Sequence, residues 1–193
     1  MGDGFRRRAA LAACARWVAA LAAAATLGVS VPADATTAVL LTREELVQRS
    51  PIVARVTVGK STSAESDDGA SIVTRTELSV TRPLKGRPAP RLVLEQLGGT
   101  HRGKKQRLLG DATLVEGEDA LVFLRPGKSG RYHLTALALS AYHVDAKGLA
   151  TRDLRGLTLV RREGDRLAPA EPAESAEPIE RLMTDVVRLA GPE

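Results

Sequence analysis

Gly117-Glu118-Asp119-Ala120-Leu121-Val122-Phe123-Leu124 carries a near-continuous apolar run over 119–124, bounded downstream by Pro126-Gly127. A short apolar run between turn residues reads as a central strand of a sheet. Upstream, Ile52, Ala54, Val56 and Val58 alternate with Val53, Arg55 and Thr57. That period of two suits a half-buried strand. Alternation resumes with Ile72, Leu78 and Val80 facing one way and Arg75, Glu77 and Ser79 the other. The two segments are expected to pair in one antiparallel sheet.

Between them, Ser61 to Ala70 is small, polar and Gly-containing and reads as a loop. Leu92-Val93-Leu94 makes a third strand, after Pro83-Leu84-Lys85-Gly86 and Pro88-Ala89-Pro90. Gly98-Gly99 then opens a long basic loop through Arg107. Beyond the central run, strands are expected near 131–138, 141–144, 149–151 and 157–161. Asp145-Ala146-Lys147-Gly148 is a hairpin-type turn.

Helices close both ends of this sheet. Residues 36–41 read as a lead-in. Thr42 and Glu45 then have the spacing of a capping box, with Leu41 and Leu46 placed as a hydrophobic staple. Ser50-Pro51 ends this short helix, because the residue before proline avoids helical backbone. Residues 169–177 are Ala, Pro, Glu and Ser, a linker composition. Ile179, Leu182, Met183, Val186, Val187 and Ala190 follow at helical spacing, giving an amphipathic helix over 178–191. Its stripe is expected to dock on the sheet, the alternative being a partner-binding helix. The predicted class is mainly β: a small antiparallel barrel over 36–168 with a short leading helix and a trailing one.

Residues 1–35 read as an export signal. Arg6, Arg7 and Arg8 precede fifteen uncharged residues, Trp17 to Val31, and Ala33-Asp34-Ala35 gives a small-x-small cleavage site. A membrane span needs about 20 apolar residues, so an uncleaved anchor is the second reading. Leu11-Ala12-Ala13-Cys14 has the form of an acylation box but precedes the apolar run, and the arginines fit the twin-arginine signature poorly. Cleavage after Ala35 would take four arginines and two aspartates from 28 basic and 23 acidic residues, leaving 24 and 21. Net charge would fall from +5 to +3. Cys14, the only cysteine, would leave too, so no disulfide could hold the mature chain and a packed core must. The expected location is periplasmic or extracellular, with no stable membrane span after cleavage.

Ser50-Pro51-Ile52-Val53-Ala54-Arg55-Val56, then Leu84-Lys85-Gly86, Leu92–Leu94 into Gly98-Gly99, and the run 117–124 form an ordered set of features. Over roughly residues 42–145 this outline resembles the netrin-like and metalloproteinase-inhibitor-like (TIMP-like) OB-fold modules of secreted bacterial proteins. The resemblance implies an OB-like barrel. Inhibitors of that kind place an N-terminal cysteine on a target zinc, and the mature chain read here has none, so no functional residue carries over.

The sequence contains no His-Glu-x-x-His, Gly-x-Ser-x-Gly, phosphate-binding glycine loop or cysteine pair. No catalytic, metal or cofactor residue is assigned. His133, His143 and Asp145 would bind zinc if the two imidazoles were cross-strand partners; otherwise they are half-exposed sheet residues. Glu116 and Glu118 have acid–base spacing but sit among charged neighbours in a turn. His101-Arg102-Gly103-Lys104-Lys105-Gln106-Arg107 is the densest charge cluster of the mature chain. Arg102, Lys104, Lys105 and Arg107 would meet an acidic partner: a protein, an acidic surface or a polyanion. The competing reading is a solvated loop balanced by Asp111, Glu116, Glu118 and Asp119. Nucleic acid is disfavoured by export and by aromatic scarcity, since only Phe123, Tyr132 and Tyr142 follow residue 35. The expected function is a non-catalytic exported binding module. An inhibitor or companion of a secreted protease comes second, and a small hydrolase with an unmarked site third.

Overall fold

A computed structural model describes residues 36–172 and 175–191; the export signal read into residues 1–35 lies outside them. Twelve strands occur among the described residues. In chain order they are β1 (Thr36–Val39), β2 (Ile52–Glu65), β3 (Ile72–Lys85), β4 (Arg91–His101), β5 (Lys104–Arg107) and β6 (Asp119–Pro126). Then come β7 (Tyr132–Leu134), β8 (Ala141–Val144), β9 (Leu149–Thr151), β10 (Leu157–Glu163), β11 (Arg166–Pro169) and β12 (Glu177–Pro178). Helix α1 (Arg43–Arg49) lies between β1 and β2, and α2 (Ile179–Ala190) follows β12. The chain is mainly β, with the C-terminal helix present.

β6 is central for the reason its sequence suggested: neither face is polar. Ala120, Val122 and Leu124 join Ile52, Ala54, Val56 and Val58 of β2 in one core, with Leu78, Leu92 and Leu94 opposite. Leu121 and Phe123 point the other way, into a second core with Val53, Leu46, Val47, Leu182 and Met183. β2 is therefore covered on both faces at Val53, which is fully buried, rather than half-buried throughout.

Five strands close into a ring. β2 pairs antiparallel with β3 and with β6, and β3 with β4. β7 then pairs antiparallel with β6 and parallel with β4, through Leu94 and Tyr132. Outside the ring, β8, β9 and β12 extend the sheet beyond β6, and β5 extends it beyond β4. The expected lead-in is partly a strand, because β1 pairs parallel with β10, which also pairs with β11.

α1 starts as its cap predicts. The Glu45 N–H donates to Thr42 Oγ1 at 3.1 Å, and the Thr42 N–H donates back to Glu45 Oε2 at 2.8 Å. The stripe of α2 buries Ile179, Leu182, Met183 and Val186, while Val187 stays 48% exposed. Docking of this helix is thus the observed outcome. Glu180 on its outer face also meets Arg55 at 3.4 Å and Arg82 at 3.3 Å. Among the described residues no helix is long and apolar enough to cross a membrane.

Other expected loops and strands differ as well. Ser61–Glu65 continues β2 instead of forming a loop, and the connection to β3 shrinks to residues 66–71. Hydroxyls hold this extension together: Ser61 and Thr76 lie 2.8 Å apart, Ser63 and Thr74 3.2 Å. The strand expected near 131–138 is limited to 132–134, followed by a 3-10 turn over Leu137–Ser140. The linker is shorter than 169–177, since Pro169 ends β11 and Glu177 pairs with Ala150 of β9.

Candidate functional site

The basic cluster is a hairpin, not a long loop. β4 and β5 pair with Gly98 opposite Arg107, Gly99 opposite Gln106, Thr100 opposite Lys105 and His101 opposite Lys104. Arg102 and Gly103 make the two-residue turn, at φ 48° and 78°. Positive φ at both positions gives the twist that suits tight hairpins, and glycine supplies it without steric cost. Composition hid this strand, because glycine and lysine are poor strand formers.

Pairing sorts the four basic residues. Successive side chains alternate across a strand, so Lys105 and Arg107 share one face and Lys104 shares the other with Gln106. The Gln106 face is the inner one: its Oε1 accepts from the Ile72 N–H at 2.8 Å. Opposite Gln106, Gly99 presses so closely on β2 and β3 that an added Cβ would lie 2.4 Å from Ser63 Oγ. Arg102, Lys104, Lys105 and Arg107 are all exposed. The one ion pair among them within the described residues is Arg102 with Glu65, at 4.0 Å and mostly exposed. Such a pair contributes little stability. The acids at 111, 116, 118 and 119 do not balance this cluster by contact. Asp119 takes a bidentate bond from Arg55, with Nη2 at 2.5 Å from Oδ2, and Glu118 meets His143 at 3.3 Å.

A polar cavity of about 800 Å³ adjoins the hairpin, reached by Arg107, Asp111, Glu118, His143, Arg152 and Asp153. Two smaller cavities of about 230 and 360 Å³ lie against β4, and Asp111 reaches all three. Burial pushes the Asp111 carboxyl above its ordinary range, opposed by bonds from the Ala112 N–H and the Gln96 side chain. Asp153 goes the other way, held down to about 2, first by its bond from Arg155. Arg152 is engaged structurally: Nη1 donates to the Leu139 carbonyl at 3.1 Å, and its guanidinium lies over the Tyr142 ring. Glu118 Oε1 is buried without a hydrogen-bond partner among the described residues, while Oε2 faces His143 Nδ1.

The zinc reading of the histidines fails on register. His133 sits opposite Arg125 and His143 opposite Ala120 on the same strand, β6. Five residues along a strand separate them by roughly 17 Å. Asp145 is occupied in its turn, accepting from the N–H groups of Lys147 at 2.8 Å and Leu149 at 2.9 Å. Among the described residues no group of three metal-ligating side chains forms. Glu116 is exposed and stands apart from the Glu118–His143 pair.

Sequence reading missed Asp111 as more than a balancing charge, and it missed the ion-pair lattice beside the hairpin. Arg131 bonds both Asp67 and Glu95, the latter at 2.5 Å, and Arg75 bonds the same two acids at 2.8 and 2.9 Å. This lattice ties the 66–71 connection to β3, β4 and the start of β7. No family model matches the chain, and comparison with curated proteins finds no relative.

Proposed function

We propose that the chain is an exported, non-catalytic binding module with an OB-like barrel, whose basic β4–β5 hairpin meets an acidic protein partner. The observation carrying this reading is the disposition of Arg102, Lys104, Lys105 and Arg107. All four are exposed on the hairpin, and a single 4.0 Å ion pair engages them among the described residues. Of the acids that follow in the chain, Asp119 is committed to Arg55 and Glu118 to His143. A cluster of uncompensated cations raises the local concentration of anionic partners and steers their approach.

The ring order β2-β3-β4-β7-β6, with parallel closure between β4 and β7, supports the OB-like part of the reading, since that order suits a five-stranded Greek-key barrel. Support for export comes from the basic, apolar and small-x-small succession of residues 6–35 and from a described domain without cysteine. Affinity capture from the cell envelope tests the whole. Wild-type chain is compared with a variant carrying R102Q, K104Q, K105Q and R107Q. A partner recovered by wild type and lost by the variant is expected; equal recovery of every partner contradicts the reading.

A further inference from the structure

β5 is the last strand of its sheet, and no strand covers its outer side among the described residues. Its backbone polar groups can be assigned without ambiguity. In an antiparallel pair, opposed residues either exchange both hydrogen bonds or direct both their N–H and C=O groups outward. The Thr100 N–H donates to Ser63 Oγ at 3.3 Å, and the Gly98 carbonyl accepts from Thr74 Oγ1 at 2.8 Å. Both groups therefore point away from β5. Thr100 faces Lys105 and Gly98 faces Arg107, so the N–H and C=O groups of Lys105 and Arg107 point to the open edge.

The geometry points to strand addition: an extended acidic segment of a partner protein pairs along the outer edge of β5. This rests on the binding reading above and specifies how the hairpin is used. Lys105 and Arg107 offer four outward backbone groups, and their side chains stand on one face, outside the hairpin. A partner residue that exchanges bonds with Lys105 has its own side chain on that same face, beside the ammonium. Glutamate or aspartate at every second position would thus present both its backbone bonds and its charge to the same residues. Strand addition obtains affinity from main-chain bonds and selectivity from alternate side chains. Lysines on an open edge also repel a second copy of the same edge. Exclusion of self and acceptance of an acidic strand follow from one arrangement.

The test uses full-length chain and a synthetic nonapeptide alternating glutamate with threonine, glutamate at both ends. One derivative is N-methylated at the glutamates, another at the threonines; both keep the charge, but each loses one set of backbone donors. Binding is read by fluorescence anisotropy at fixed salt. The glutamate-methylated peptide is expected to bind at least about tenfold more weakly than the parent, and the threonine-methylated one within about threefold. Equal affinity of all three overturns strand addition. If in that case the R102Q/K104Q/K105Q/R107Q variant still loses the peptides, the basic-hairpin reading survives without it. Failure of the parent peptide to bind wild type overturns the inference, whatever the envelope capture shows.

Discussion

Leu94 of β4 and Tyr132 of β7 are parallel register partners, and this one pair turns an open sheet into a closed ring. Its neighbours reinforce the contact. His133 Nδ1 lies 2.8 Å from the Glu95 carbonyl, and Arg131 bonds the Glu95 carboxylate. β7 has three register pairs with β6 but a single one with β4, so these side chains carry the β4 side of the closure.

Replacing Arg131 by glutamine is therefore expected to loosen the ring locally. Asp67 and Glu95 would keep Arg75 but lose the residue that reaches both from just before β7. Amide hydrogen exchange should accelerate at Tyr132–Leu134 while the β2–β6 amides keep their protection. Unchanged exchange over 132–134 would show that the lattice is not what closes the ring.

Docking of α2 is testable by contrast within one helix. Leu182 is fully buried in the second core, whereas Val187 on the same helix is 48% exposed. Leu182→Ala is expected to lower the unfolding free energy by about 2–5 kcal/mol. Val187→Ala should change it by less than about 0.5 kcal/mol. Denaturant midpoints at equal m-value measure both; similar effects at the two positions would mean the helix does not dock by this face.

How much of this was legible in residues alone divides along local and non-local lines. The run 119–124, the Thr42–Glu45 box, the 145–148 turn and the helical stripe are short patterns whose physics is complete within a few residues. The β5 edge was not legible. Its pairing depends on Gly99 fitting between Ser63 and Thr74, residues about thirty positions away. The extension of β2 rests on hydroxyl contacts rather than on an apolar alternation, so no hydrophobic period marked it. β1 pairs with a strand more than a hundred residues downstream, and nothing in Thr36–Val39 announces that. Asp111 gained interest only once the fold brought three cavities to it.

That carboxyl gives a pH prediction with a definite sign. Burial raises the Asp111 value above the usual 3.8, so ionisation is easier in the unfolded chain than in the folded one. Its unfavourable contribution is absent below about 3.8, grows as pH rises through the folded value, and is then constant. Asp111→Asn retains an oxygen that accepts from the Ala112 N–H. The variant should be more stable than wild type at pH 7, and the difference should vanish below the ordinary aspartate range. A gain that is the same at pH 3 and pH 7 would contradict the burial argument.

Gly99→Ala probes the seat of the hairpin. At φ 134° the new Cβ would also lie 2.6 Å from Thr74 Oγ1. A destabilisation of about 1 kcal/mol or more is expected, with faster amide exchange concentrated in β5. An unperturbed variant would mean that β4 and β5 sit further from β2 and β3.

The proposed function requires β5 to be a paired strand with an open basic edge, and residue-resolved amide exchange on the full-length chain addresses that directly. Lys104 and Gln106 should exchange slowly and Lys105 and Arg107 fast, with the latter two slowing when the glutamate–threonine nonapeptide is added. Uniformly fast exchange over 104–107, unchanged by the peptide, would return this segment to a solvated loop and remove the proposed function with it.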